Sequence, residues 1–292
     1  MSATTTTAAL DIRPLTVNIG AEIHGLDLSQ PLTAEQIAAI RQASLDHFVI
    51  FFPGQQLTPG EHVAFAGQLG ELTRGSPLYP GLAAEGYPEV APQGRSPDGA
   101  GIWHTDATFL EVPPGAGVFH AVDVPEYGGD TEFAATAVAY DSLSEPLREL
   151  VDGLFATHDW SHLNDALADR PGHWDGEPLT QVGPVDHPIV RTHPATGRNS
   201  LYLSANRTTG IPGLPEHAGR ALLEYLYEHI TRPEHVVRYH WRPGTVAIWD
   251  NRTVLHRAIY DLAPDVRRIV HRVNLKGERP VGPATALAGT GS

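Results

Sequence analysis

The chain has no cysteine, which excludes disulfides, iron–sulfur clusters, thiolate-held zinc and thiol nucleophiles together. Any metal it binds must be held by histidine, aspartate or glutamate. Positive charge is also short: 20 Lys+Arg against 34 Asp+Glu give a formal net charge of −14. Such a chain has no global field to attract DNA, RNA or an anionic membrane, and none of these is an expected partner. No stretch approaches the roughly 18 uncharged apolar residues of a membrane helix. Met1–Leu10 has no basic segment followed by an apolar core, so a cytoplasmic location is expected.

What is present suits a single globular unit. The 292 residues are 41% hydrophobic, ample for one large core, and no linker splits them. Residues 1–11 and 280–292 read as flexible ends around one domain at 12–279. With 29 Gly and 25 Pro the composition leans towards β-structure with many turns.

Local patterns refine this. Thr33-Ala34-Glu35-Gln36 and Thr58-Pro59-Gly60-Glu61 are capping boxes, the second with proline at the first helical position. They predict helices ending before Phe48 and near Leu69. The apolar run Phe48–Phe52 is short enough to be a buried strand. Strands are also expected over Ile12–Asn18, Ala21–Leu26, Gly117–Val122, Asp130–Phe133, Leu154–Trp160, His187–His193, Ser200–Leu203, Val236–Trp241, Val246–Trp249 and Arg268–Leu275. Helices are expected at Ser144–Val151 and Pro215–Ile230. The Gly/Pro-broken segments 73–101 and 162–184 read as lid loops. Together these predict an α+β, mainly β fold built on a sandwich or barrel of strands.

The chemistry begins at Trp103-His104-Thr105-Asp106. In extended chain, residues two apart point to the same side, so His104 and Asp106 can reach one ion. An imidazole and a carboxylate are two thirds of the 2-His-1-carboxylate set that suits non-haem Fe(II). His-x-Asp alone is a weak signal. A second one lies in Arg267-Arg268-Ile269-Val270-His271-Arg272-Val273. On a strand Arg268, Val270 and Arg272 share a face, and two guanidiniums buried there need anionic partners.

These segments, with Ile19–Leu32, Val49–Gln55, Gly128-Gly129-Asp130-Thr131 and Trp249-Asp250-Asn251-Arg252 ahead of His256, resemble the TauD/TfdA family of Fe(II)- and 2-oxoglutarate-dependent dioxygenases. The resemblance covers residues 12–279 with the motifs in order. It implies a double-stranded β-helix, the cupin-like jelly roll, with flanking helices. It also implies iron ligands His104, Asp106 and His256, and a 2-oxoglutarate carboxylate held by Arg268 and Thr131. The Arg-x-x-His-Arg spacing selects Arg268 over the adjacent Arg267. The implied reaction couples O2 and decarboxylation of 2-oxoglutarate, to succinate and CO2, with oxidation of a substrate C–H bond. Halogenating relatives lack the carboxylate ligand, so Asp106 favours hydroxylation; desaturation stays open.

For the substrate, a small organic anion is implied, with Arg272, Tyr79, Trp160 and Ser76 at its site. The taurine enzyme of the family has a histidine where this chain has Ser76 and an asparagine where it has Ala100. Ser76 speaks against taurine and leaves carboxylates, sulfonates and sulfate esters, while Ala100 and Trp160 suggest a larger or more apolar substrate body. Relatives form dimers or tetramers, so a homo-oligomer is expected. Two other classes use part of this pattern. A non-catalytic jelly-roll anion binder would not need an intact metal set, and a zinc hydrolase would not need the paired arginines.

Overall fold

Strands whose apolar residues alternate can cover two cores at once. This chain does so on both of its principal sheets. The computed structural model describes residues 10–74, 81–94, 101–169, 172–175, 177–263 and 265–283. In chain order its strands begin with β1 (Asp11–Pro14), β2 (Ala21–His24), β3 (Val49–Phe52), β4 (Ala91–Gln93), β5 (Ala116–Asp123) and β6 (Thr131–Ala135). Next come β7 (Phe155–His158), β8 (Gly172–Trp174), β9 (Glu177–Leu179), β10 (Val185–Pro188), β11 (Val190–Thr192), β12 (Asn199–Leu201) and β13 (Thr208–Gly210). The last four are β14 (Val236–Tyr239), β15 (Val246–Asp250), β16 (Val254–Ala258) and β17 (Ile269–Leu275). Six α-helices are interspersed: α1 (Ala34–His47), α2 (Pro59–Leu69), α3 (Thr136–Asp141), α4 (Glu145–Asp152), α5 (Asn164–Asp169) and α6 (Glu216–Ile230).

A seven-stranded sheet, β1-β2-β3-β15-β5-β17-β4, faces a three-stranded sheet, β14-β6-β16. Phe51, Phe119, Trp249 and Val270 from the first and Phe133, Tyr239 and Val254 from the second form the core between them. Alternate residues of the same strands face outward. Ile50, Phe52, Ile248 and Val273 meet α1 and α2, while Ala134 and Leu255 meet α3 and α6. The run Val49–Phe52 is therefore buried on both faces, as its unbroken apolar character requires. The arrangement is the mainly β, α+β jelly roll with flanking helices that the sequence implies.

Both capping boxes form, with Thr33 and Thr58 accepting from the Gln36 and Glu61 amides. Several expected strands are shorter, Leu154–Trp160 being reduced to β7 and Val236–Trp241 to β14, and two show how the chain departs. β1 stops at Pro14, and the Thr16 hydroxyl accepts from the Asn18 and Ile19 amides, turning the chain early. His187–His193 divides at Ile189 into β10 and β11 on different sheets: the Ile189 amide still donates to the Leu154 carbonyl at 2.9 Å, while its own carbonyl accepts from the Tyr202 amide at 2.6 Å. The segment 162–184 is not plain loop: it contains α5 and the β8–β9 hairpin.

Candidate active site

The metal-binding candidates are brought together by one β-bridge. His104 follows an irregular segment, and its backbone pairs with that of His256 on β16 through N–H···O contacts of 3.0 and 2.8 Å. The two rings lie 4.2 Å apart. Nδ1 of His104 donates to the Ile102 carbonyl at 2.7 Å, which leaves Nε2 as its ligating atom. Asp106 stands two residues on, its Oδ1 3.9 Å from His256 Nε2. One ligand atom from each of the three residues lies within 4.8 Å of the others.

The electrostatics fit a cation. Burial lowers the proton affinity of His104, and burial with the neighbouring His104 takes His256 down to about 3, so both imidazoles keep a lone pair at neutral pH. Burial alone would raise Asp106, but Arg272 and the two histidines outweigh it and hold its carboxyl at about 2. Its Oδ2 is buried and has no hydrogen-bond partner among the described residues. An ionised, buried oxygen with no donor is costly unless a cation meets it. Two neutral imidazoles and one carboxylate are the donor set that suits non-haem Fe(II) and leaves coordination positions open.

Behind this triad the jelly-roll interior narrows to a cavity of about 140 Å³. Arg268 reaches it from the residue before β17. Its guanidinium is partly buried, lies 5.9 Å over the Phe119 ring, and has no ion pair among the described residues. Burial accordingly pulls its pKa below the ordinary arginine value. Arg267 is exposed and pairs with Asp123 at 3.0 Å, so of the two neighbours it is Arg268 that enters the cavity. Thr131, at the start of β6, lines the same space; its hydroxyl accepts from Trp241 Nε1 at 2.9 Å and keeps its own proton for an acceptor. The preceding turn is built on left-handed Gly128 and Gly129 (φ +78° and +67°). A Cβ on Gly129 would stand 2.9 Å from Leu262 and 3.4 Å from Arg268.

Arg272, four residues further along the same face, is tied to Asp106 of the candidate metal set. Its Nη1 donates to Asp106 Oδ1 at 2.6 Å. With the Gln93 amide turned so that its oxygen faces the guanidinium, that oxygen accepts from Nε and Nη2 at 3.1 Å each. Trp160 lines the cavity but is only 4% exposed, held between Phe109 (centroids 4.8 Å apart) and the Arg207 guanidinium 3.7 Å from its ring. It is as much a platform for Arg207 as a surface for a substrate. Ser76 and Tyr79 lie outside the described residues. Gln93, Arg207 and Trp241 were not foreseen; no local motif marks them, because each reaches the cavity from a remote segment. The Trp249–Arg252 motif is the end of β15 running into a turn: Asp250 accepts from the Arg252 amide and from His193, and Arg252 grips Glu278.

A largely buried 2-His-1-carboxylate set beside an arginine with no ion pair among the described residues points to a class, a non-haem iron oxygenase that takes a carboxylate cosubstrate. The comparisons carry this further. The model of the family described as "Taurine catabolism dioxygenase TauD, TfdA family" matches residues 11–274. An alpha-ketoglutarate-dependent sulfate ester dioxygenase of Pseudomonas putida is 39% identical over 96% of this chain and 94% of its own length. An alkylsulfatase of Acinetobacter baylyi is 36% identical over 94% and 88%. The crystal structure of a taurine dioxygenase from Burkholderia xenovorans superposes with a TM-score of 0.82, at 40% identity over 94% and 92% of the two chains. The chain belongs to the TauD/TfdA family. It is an Fe(II)- and 2-oxoglutarate-dependent dioxygenase that consumes O2.

Proposed function

We propose that the enzyme oxidises a C–H bond of a small organic anion, with a sulfate ester as the best-supported substrate. His104, Asp106 and His256 hold the iron, and Arg268 and Thr131 hold the far carboxylate of 2-oxoglutarate. The observation that carries this reading is Arg268, a partly buried guanidinium that lines the cavity behind the triad without a carboxylate of its own among the described residues. When bound, iron and 2-oxoglutarate supply oxygen activation, with release of succinate and CO2. The chain supplies placement. Arg268 orients the cosubstrate through paired hydrogen bonds. The Thr131 hydroxyl, its lone pair occupied by Trp241, donates its proton to the same carboxylate. Phe109, Phe119 and Trp249 exclude water from the reacting carbon.

Arg272 holds the substrate anion next to Asp106, with Trp160 and Arg207 shaping the space around its body. The names of the sulfate ester dioxygenase and the alkylsulfatase support a sulfate ester. Hydroxylation of the carbon bearing the ester oxygen gives a hydroxy sulfate, which expels sulfate and leaves an aldehyde. The test is a panel of alkyl sulfates, alkylsulfonates and aryloxyalkanoates assayed for succinate. Alkyl sulfates should release sulfate, aldehyde and succinate in equal amounts. Succinate formation stimulated only by carboxylates would contradict the substrate assignment. We further infer a cytoplasmic homo-oligomer, dimer or tetramer. Exposed Ile12, Leu15 and Val17 along and after the edge strand β1 support self-association, and sedimentation equilibrium measures it.

A further inference from the structure

The insertion between β7 and β10 walls the cavity with Trp160 and Trp174, and each of its two stems ends in a buried histidine. His158 closes β7 and His187 lies in β10. The strands pair antiparallel, with Ala156 opposite His187 and Val185 opposite His158, so both imidazoles project from the same sheet face, their rings 5.3 Å apart. They do not touch the cavity. Both reach instead to the turn that follows Asp106. His187 Nε2 lies 2.9 Å from the Thr108 carbonyl and 3.0 Å from that of Leu110; since both oxygens only accept, this nitrogen carries the proton and donates to both. His158 Nδ1 shares a hydrogen bond of 2.9 Å with the Thr108 hydroxyl.

The gripped turn is under strain where it meets the metal set. Ala107, directly after Asp106, has φ +50°, a left-handed conformation that a residue with a Cβ avoids. The Leu110 amide closes the turn onto the Ala107 carbonyl at 3.0 Å. On the other side, Thr105 donates through its hydroxyl to the Val254 carbonyl at 2.8 Å. Asp106 is thus aimed by a short segment anchored at Thr105 before it and at Thr108 and Leu110 after it, and the second anchor is the pair of histidines.

We propose that His187, assisted by His158, is a positioning residue of the iron site. The two imidazoles hold the Ala107–Leu110 turn in its left-handed form, so that Asp106 presents its carboxylate towards His104 and His256. The same grip ties the stems of the insertion that shapes the substrate space to the loop that carries a metal ligand. This rests on the ligand assignment proposed above.

The test compares His187→Phe, which keeps the ring but removes the donor, with His187→Gln, which retains an N–H. In the metal-free protein, hydrogen exchange of the 106–110 amides should quicken in His187→Phe well beyond any change in global protection. In anaerobic titrations with 2-oxoglutarate, Fe(II) should bind about 10-fold or more weakly to His187→Phe, as for other losses of support behind a ligand. His187→Gln should stay close to wild type. Equal losses in both variants, or wild-type iron affinity and exchange in His187→Phe, would overturn the proposal. Should His187→Phe not fold, Thr108→Val, which deletes only the contact to His158, should show a smaller loss of the same kind; unchanged iron affinity there would overturn it too. His104→Ala separates the two readings: normal iron binding in that variant would refute the ligand set itself.

Discussion

Asp106 has one carboxylate oxygen on Arg272 and the other buried without a donor among the described residues, so its two halves report on different partners. On the proposed assignment Arg272 faces both the metal and the substrate. Arg272→Ala should weaken Fe(II) binding as well as raise KM for the anion, whereas a purely substrate-facing arginine would leave iron affinity untouched; paired metal titration and kinetics distinguish these. Arg268 touches no ligand residue, and Arg268→Ala should act on 2-oxoglutarate alone. Losing one partner of a buried charge pair costs about 3 kcal/mol, which corresponds to roughly 100-fold in cosubstrate affinity. An unchanged KM for 2-oxoglutarate would remove Arg268 from the cosubstrate site. These residues were legible because strand periodicity puts His104 with Asp106, and Arg268 with Arg272, on shared faces within a few positions. Gln93, Trp241 and Arg207 were not, since nothing in a linear pattern shows which distant side chain arrives beside another.

Elements with a local cause were read well from sequence. The Thr58 box, with Glu61 bonding back to the Thr58 amide at 2.7 Å, starts α2 far from the cavity. Thr58→Ala should cost about 1 kcal/mol of stability in urea denaturation with kcat unaltered; a change in kcat would show that α2 influences the site. Elements defined by tertiary partners were harder. β16 exists because His104 and β6 pair with it, and α3 is too short to carry a helical period of its own. The hairpin β8–β9 is three residues a strand, below what alternation can announce. Trp160, at the entry to that insertion, supports the Arg207 guanidinium. A cation–π contact of this kind is worth about 0.5–2 kcal/mol, so Trp160→Leu should raise KM for substrate while sparing that for 2-oxoglutarate. Equal changes in both would mean that the insertion shapes the whole cavity and not only the substrate end.

At the scale of the molecule, the chain's 16 histidines are a matter of stability as much as of metal binding. His62, His158 and His256 are each taken down to about 3, chiefly by burial. The unfolded chain titrates its histidines near the ordinary value of about 6.5. Between these values the unfolded state binds protons that the folded state does not, so stability is full above about pH 6.5 and falls as the pH drops towards 3. Each such group steepens the fall by up to about 1.4 kcal/mol per pH unit. The Tm of the metal-free protein should therefore decline between pH 7 and pH 5, and a flat profile would contradict the burial of these rings. Iron held by His104 and His256, as proposed, would act in the same direction, since protons compete for the same nitrogens. Net charge was the poorest guide at this scale. A chain of −14 builds a cavity lined by three arginines, Arg207, Arg268 and Arg272, and the fold, not the overall balance, decides which anions enter.

The most direct test of the central claim is an anaerobic titration of the protein with Fe(II) in the presence of 2-oxoglutarate, followed by visible absorption. The wild type should develop a weak charge-transfer band that saturates at one iron per chain. His256→Ala should lose it at neutral pH, and Arg268→Ala should require far more 2-oxoglutarate to reach it. No band in the wild type, or an undiminished band in His256→Ala, would contradict the assignment of the site.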